Sequence, residues 1–294
     1  MPSEAGGGAA LAQQEPAQHE LSTHNLTRCV LANDKGIDFD ALQAVPVASE
    51  TRRPGILILP EMFGLNAPMQ ALADGWAARG HPALVPNVFW RGATPRGLAY
   101  DGTDRELAWQ RLRALDVDQA VLDLRIAVAA LRAMPGCNGK VLAIGFCAGG
   151  LLAYLAAARC GGFGERGVDA AGVDTAAVNA AGVDAAGVNA AGVDAAGVNA
   201  AVAFYALGIA RYLPDMAAIR CPLQLHYGLR DQHVPASEVA AVAQAMQAAT
   251  PANARLELHR YDAGHSFFNN VRPGYDAAAA GLAAQRLDAL LETL

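Results

Sequence analysis

A cysteine occupies what the sequence predicts to be a tight turn between a strand and a helix. The apolar run at residues 140–144 leads into Gly145-Phe146-Cys147-Ala148-Gly149-Gly150, and a helix-forming run follows. Glycines two residues before and two residues after the cysteine leave room for the chain to cross itself in a strained turn. The turn points the sulfur at the positive end of the following helix, which favours a thiolate. The pattern predicts a nucleophile at Cys147, and a cysteine buried in a core strand is the alternative.

An aspartate and a histidine follow later in the chain, each just beyond a strand-like run. Asp231 lies in a turn after residues 222–227, and His265 lies in a loop after residues 255–261. Because the carboxyl ends of parallel strands meet at one edge of an open sheet, we expect both side chains near Cys147. The order of nucleophile, acid and base predicts a triad. In it Cys147 attacks, His265 transfers the proton and Asp231 orients the imidazole.

Strand-like and helix-like runs alternate along the chain and would position these residues. The strands are predicted near residues 36–45, 55–59, 82–85, 140–144, 201–205, 222–227 and 255–261. The helices are predicted near residues 67–79, 117–134, 149–159, 237–249 and 275–291. Alternation of this kind is typical of the α/β class, with a mainly parallel central sheet and helices on both faces.

Composition divides the 294 residues into three kinds of segment. Residues 1–24 are rich in Ala, Gly, Gln and Glu, lack the pattern of a signal peptide, and are predicted to be a disordered extension. Residues 25–294 are predicted to form a single domain, interrupted at residues 165–200 by a low-complexity repeat of Ala, Gly, Val, Asp and Asn with a five-residue unit. The repeat is an expanded loop or a short solenoid.

Charge and cysteine content exclude several classes of function. The net charge is −6 without a basic stripe, which argues against a nucleic-acid partner. No apolar run reaches the ~18–20 residues that span a bilayer, so we expect no membrane association. The cysteines number five, an odd count, and lack metal-ligand spacing, which indicates a reducing compartment and no metal or cofactor. We therefore expect a cytoplasmic protein that acts on a small molecule.

These motifs together resemble the dienelactone hydrolase family (carboxymethylenebutenolidases). The resemblance runs from about Thr27 to the C terminus, apart from the repeat. It is carried by the segments Pro60-Glu61-Met62-Phe63-Gly64-Leu65-Asn66, Val85-Pro86-Asn87-Val88-Phe89-Trp90-Arg91, Gly145-Phe146-Cys147-Ala148-Gly149-Gly150, Asp231-Gln232-His233-Val234-Pro235 and Ala263-Gly264-His265-Ser266-Phe267. It implies the α/β-hydrolase fold, a monomer or weak homo-oligomer, and hydrolysis of an ester or enol-lactone of aromatic-compound degradation through an acyl-enzyme on a Cys-His-Asp triad. The family also contains broader esterases.

The resemblance implies roles for residues around the triad. Glu61, at the end of the buried run 55–59, would contact Cys147 and take part in its activation. The backbone N–H groups of Met62 and Ala148 are the natural oxyanion hole, because one follows an early strand and the other follows the nucleophile.

Substrate contacts are implied for four further residues. Arg91 would hold a substrate carboxylate in a two-pronged geometry, and Trp90, Ser266 and Phe267 would line the site. His233, two residues after Asp231, is another candidate for substrate contact.

The family's second carboxylate-binding arginine falls at Asn269 in this sequence, with Arg272 nearby. This departure leaves open whether dienelactone itself is the substrate. Two other functions fit the same residues: a redox-sensing thiol without turnover, and a binding protein on the same fold. Hydrolysis explains the positions of Asp231 and His265 better than either alternative.

Overall fold

A mainly parallel sheet forms the centre of the molecule. The computed structural model describes residues 25–32, 38–47, 51–94, 96–160, 197–249 and 255–294. Within them lie eight strands: β1 Asn25–Ala32, β2 Asp38–Val45, β3 Arg53–Leu59, β4 Ala83–Pro86, β5 Cys137–Phe146, β6 Ala200–Phe204, β7 Leu223–Gly228 and β8 Leu256–Tyr261. Their order across the sheet is β1-β2-β4-β3-β5-β6-β7-β8. The pairs β1–β2 and β2–β4 are antiparallel, and the remaining pairs are parallel.

Helices cover both faces of this sheet. They are α1 Ala67–Ala78, α2 Gly102–Arg113, α3 Val117–Ala133, α4 Ala148–Arg159, α5 Ala236–Ala248 and α6 Ala277–Leu291, with a 3-10 segment at Ile209–Ala218. Alternate residues of β3 enter different cores: Leu57 and Leu59 pack with α3, α4 and α5, whereas Ile56 and Ile58 pack with α1 and α6. A strand buried on both faces reads as a continuous apolar run, which is why β3 and β5 could be predicted. The predicted α/β-hydrolase fold class is confirmed.

Three elements have no counterpart among the predicted ones: β1, α2 and the 3-10 segment. Helix α2 buries only Ala108 and Arg111, so it lacks the apolar stripe that marks a helix in sequence. Strand β1 is an edge strand whose Val30 is exposed, and it follows directly on residues that read as an extension.

Two of the predicted segments fall largely outside the described residues. The extension at residues 1–24 does so entirely, and the repeat does so except for residues 197–200. In that short part, the Asn199 side chain accepts a hydrogen bond from the Val141 N–H at 2.9 Å, and β6 begins at Ala200. The division of the chain into extension, domain and repeat stays a prediction. In the described part of the chain, no helix combines the length and the apolar character that crossing a membrane requires.

Candidate active site

The turn between β5 and α4 holds Cys147 in a strained conformation. Its φ of 54° and ψ of −114° lie outside the regions that side chains normally adopt. The surrounding backbone fixes it, because the Cys147 N–H donates to the Phe204 carbonyl at 3.0 Å and its carbonyl accepts from Gly150 at 3.0 Å. The side chain is only 5% exposed and stands at the N-terminus of α4.

The two glycines flanking the cysteine are required by close backbone contacts. A Cβ added at Gly145 would lie 1.9 Å from the carbonyl oxygen of Gly149. One added at Gly149 would lie 2.1 Å from the carbonyl oxygen of Leu59, at the end of β3. Both distances are far inside van der Waals contact, so the turn packs only with glycine at these positions.

Asp231 and His265 meet at the same edge of the sheet. Asp231 lies in the turn after β7 and His265 in the loop after β8, and the Asp231 Oδ2 is 2.8 Å from the His265 Nδ1. The other carboxylate oxygen, Oδ1, accepts from the N–H groups of His233 at 2.7 Å and Val234 at 3.2 Å. Burial alone would raise the pKa of Asp231, but these hydrogen bonds lower it. The carboxylate is therefore held ionised and in one orientation.

The His265 ring interacts with both this carboxylate and the sulfur of Cys147. Burial alone would lower its pKa, but side-chain hydrogen bonds with Asp231 and then with Cys147 raise the pKa to about 10. An imidazolium is therefore favoured beside the sulfur. The structure brings the three residues of the expected triad together.

Glu61 lines the same pocket as Cys147 and is 4% exposed. Its Oε1 accepts a hydrogen bond from the Tyr205 hydroxyl at 3.2 Å. Burial raises the pKa of Glu61 above its ordinary value, although Arg272, His265 and Tyr205 act in the opposite direction. The raised pKa favours the protonated form of this carboxyl group.

Cys147 lines a narrow pocket with a cavity volume of about 20 Å³. It is lined by Glu61, Met62, Phe63, Arg105, Trp109, Cys147, Leu207, His233, His265 and Arg272. Met62 thus lies where an oxyanion donor is expected, and Ala148 is the first residue of α4, where an N–H has no intrahelical acceptor. The pocket combines apolar walls with two guanidinium groups, which suits a small organic acid or its ester.

Four of the lining residues were missed by sequence reasoning: Phe63, Arg105, Trp109 and Leu207. Arg105 and Trp109 belong to α2, which the sequence pattern did not predict. They are four residues apart, so they share a helix face, and that spacing is the signal that could have paired them.

Arg91 and Trp90 are not among the residues that line this pocket. Arg91 instead makes a two-pronged ion pair with Asp123 of α3, at 2.5 Å and 3.0 Å. The Trp90 indole donates to the same carboxylate at 2.8 Å. Asp123 is nearly fully buried and requires such partners, since an unpaired buried carboxylate is costly. In this structure Arg91 and Trp90 are both held by Asp123, and their contact with substrate stays a prediction.

The residues after His265 also differ from expectation, because Ser266 and Phe267 are buried and do not line the pocket. The Phe267 ring packs on Tyr205 and Tyr261 at 5.7 Å and 5.0 Å between centroids.

Of Asn269 and Arg272, only Arg272 is among the residues that line this pocket. The Asn269 amide donates to the Tyr100 hydroxyl at 2.9 Å. Arg272 reaches the pocket, with its guanidinium 4.4 Å from the centre of the Tyr100 ring and 5.1 Å from that of Phe63. Arg272, and not Asn269, thus supplies a positive charge on this side of the pocket.

Comparisons with known proteins show the family and the fold of the chain. The model of the dienelactone hydrolase family matches residues 39–171 and 181–294. A carboxymethylenebutenolidase of Pseudomonas putida is 31% identical over 255 residues, which cover 85% of this chain and 89% of the relative. Two solved structures share the fold at 20% identity. A candidate dienelactone hydrolase from Klebsiella pneumoniae superposes with a TM-score of 0.67 over 92% of this chain and 100% of that chain. A thermophilic esterase of Thermogutta terrifontis superposes with a TM-score of 0.57 over 92% and 91%.

Proposed function

The chain belongs to the dienelactone hydrolase family, and from this membership and the geometry around Cys147 we propose that it hydrolyses a small carboxylate-bearing ester or enol-lactone through a Cys147-His265-Asp231 triad. The observation that carries the proposal is the link from Asp231 to His265 to Cys147 at the base of a pocket with two guanidinium groups. Neither a redox sensor nor a binding protein requires an oriented base beside the sulfur.

Activation of the thiol precedes the chemistry. His265, with its raised pKa, stands beside the sulfur as an imidazolium and stabilises the thiolate. Glu61 assists as a second acceptor for the thiol proton, since burial raises the pKa of its carboxyl group. The Tyr205 hydroxyl bond holds one oxygen of Glu61 in place while this occurs.

The reaction then takes place in two halves. The thiolate attacks the ester or lactone carbonyl, and the oxyanion forms against the N–H groups of Met62 and Ala148. The carbon–oxygen bond to the leaving group breaks to give an acyl-enzyme, and the departing enolate takes the proton of the His265 imidazolium, which leaves the imidazole neutral. His265 next takes a proton from water, the hydroxide adds to the thioester, and the carbon–sulfur bond breaks to release the acid and restore the thiolate.

Arg105 and Arg272 hold the substrate carboxylate in this proposal. Both line the pocket, one from α2 and one from the turn after β8, so they approach a ligand from two elements. A guanidinium pairs with a carboxylate through two parallel hydrogen bonds, which orients the ester as well as attracting it. Trp109 and Leu207 form an apolar wall of the same pocket.

The test is hydrolysis of cis- and trans-dienelactone, and of an uncharged aryl ester, by wild type and by Cys147→Ala. Cys221→Ala is the matched control, because Cys221 is a half-buried cysteine that does not line the pocket. We expect the wild type and Cys221→Ala to open the lactone and Cys147→Ala to be inactive. Hydrolysis of the aryl ester alone would mean a different substrate class, and hydrolysis of neither would favour the redox-sensing or binding alternatives.

A further inference from the structure

The ring of His233 packs against two other aromatic rings, those of His265 and Trp109. The His233 ring centre lies 4.8 Å from that of His265, with the planes at 79°, which is an edge-to-face contact. The His233 ring also lies 5.9 Å from the centre of the Trp109 ring. His233 is therefore in contact with both the catalytic imidazole and an aromatic side chain of the pocket.

The backbone of His233 is tied to the same carboxylate that orients His265. Asp231 uses Oδ1 for the His233 N–H, at 2.7 Å, and Oδ2 for the His265 ring, at 2.8 Å. The position of the His233 ring relative to the His265 ring is thus set through one buried side chain. A substitution of the His233 side chain leaves this backbone bond in place.

The charges that face His233 keep its ring neutral. Besides the Asp231 carboxylate, these groups are the His265 imidazolium and the guanidinium groups of Arg105 and Arg272. Burial lowers the pKa of His233, the three positive groups lower it further, and Asp231 alone acts in the opposite direction. An uncharged imidazole beside an imidazolium adds packing without adding repulsion.

We propose that His233 is a positioning residue for the triad, whose uncharged ring, backed by Trp109, holds the His265 imidazole in line between Asp231 and Cys147 by edge-to-face contact. The inference rests on the proposed function, because it gives His233 a task only if His265 is the base. The His265 ring is held by the Asp231 carboxylate at one nitrogen, by the Tyr205 ring with its centre 4.9 Å away, and by the His233 ring, so His233 supplies one of the contacts that restrict its rotation. A small misplacement of a catalytic base is costly, since an error of about 1 Å can lower a rate ~10²-fold.

Three variants of the full chain distinguish the effect of an aromatic ring at position 233 from the effect of a charge there. His233→Phe keeps an uncharged ring, His233→Ala removes the ring, and His233→Lys replaces it with a charge. Gln232→Ala, an exposed neighbour in the same turn, is the matched control. Two readouts are compared: kcat and KM on the substrate found for the wild type, and the pKa of His265 from NMR of protein labelled with ¹⁵N-histidine. The His265 signal is identified by its loss in His265→Gln.

We expect His233→Phe and Gln232→Ala to stay within ~2-fold of the wild-type kcat, and His233→Ala to lose ~10-fold in kcat with little change in KM. His233→Lys should lose at least as much and should lower the pKa of His265 by ~1 unit, because a like charge disfavours the imidazolium.

Two results would overturn the inference. One is a loss in His233→Phe as large as in His233→Ala, which would mean that the nitrogens of His233 act directly. The other is an unchanged His265 pKa in His233→Lys. If the wild type hydrolyses no ester, the proposed function fails, but the NMR comparison still decides whether His233 and His265 are coupled.

Discussion

The carboxylate of Asp231 and the imidazole of His265 form an ion pair that shifts the pKa of both groups from their ordinary values. Oδ2 lies 2.8 Å from Nδ1, and the Asp231 side chain is completely buried while that of His265 is 14% exposed. The pKa of Asp231 is lowered and that of His265 is raised to about 10, so the charged forms stabilise each other. The pair therefore affects both the rate of the reaction and the stability of the fold.

Removing the charge from Asp231 tests the catalytic part of this relationship. We expect Asp231→Asn to lower kcat by ~10²–10⁴-fold, because an amide neither stabilises an imidazolium nor fixes its tautomer. The pKa of His265 should fall towards its ordinary value in the same variant. Steady-state kinetics and NMR of the histidine ring measure the two effects. Asp262→Asn is the control, since Asp262 is an exposed neighbour paired with Arg230, and a loss of similar size there would contradict the assignment.

The pH dependence of unfolding tests the contribution to stability. His265 has a pKa near 6.5 when unfolded and about 10 when folded, so the folded state binds the extra proton between these values. Stability from this group is therefore complete below about pH 6.5 and is lost as the pH rises through about 10. We expect the difference in unfolding free energy between wild type and His265→Gln to shrink as the pH is raised from 6.5 to 10. Denaturant unfolding at several pH values measures it, and a difference that grows over this range would refute the raised pKa.

The sequence was informative where local geometry dictates residue type. The turn at Cys147 requires small neighbours, and the buried β3 and β5 require unbroken apolar runs, so both could be read without knowledge of the rest of the chain. Asp231 and His265 followed because the topology of a parallel sheet gathers the ends of its strands at one edge.

The sequence was uninformative where a role depends on distant partners. Arg91 follows a strand, as a carboxylate-binding residue should, but its partner Asp123 lies 32 residues further along the chain. Arg105, which does line the pocket, lies on a helix with too few buried residues to be recognised. Local sequence could not tell which of these two arginines faces the sulfur.

The two arginines of the pocket provide a test of substrate charge. We expect Arg105→Ala and Arg272→Ala each to raise KM for a carboxylate-bearing lactone by ~10-fold or more, since a hydrogen bond to a charged group contributes ~1.5–3 kcal/mol. KM for an uncharged aryl ester should change by less than ~3-fold. Steady-state kinetics of each variant on both substrates measure these changes. Equal changes in KM for the two substrates would mean that the arginines do not bind the carboxylate.

Arg91 should behave differently from those two residues. Because Arg91→Ala leaves the buried carboxylate of Asp123 without its ion pair, we expect it to destabilise the fold by roughly 3 kcal/mol. KM for the lactone should stay unchanged, because Arg91 does not line the pocket. Thermal unfolding and kinetics on one preparation measure both quantities. A raised KM for the lactone with unchanged stability would mean that Arg91 contacts the substrate.

Glycine substitutions at the cysteine turn are expected to show how little room the nucleophile has. In Gly149→Ala the new Cβ would lie 2.1 Å from the Leu59 carbonyl oxygen, and neither backbone segment can retreat without separating β3 from α4. We expect a loss of several kcal/mol in stability, or no folded protein, as for overpacking against rigid backbone. Gly281→Ala in α6 is the matched control, since a Cβ there meets nothing within 4 Å. It should be neutral or stabilising by ~0.5–1 kcal/mol, because alanine loses less backbone entropy in a helix. Thermal unfolding of both variants decides the matter, and a stable Gly149→Ala would show that the turn can open.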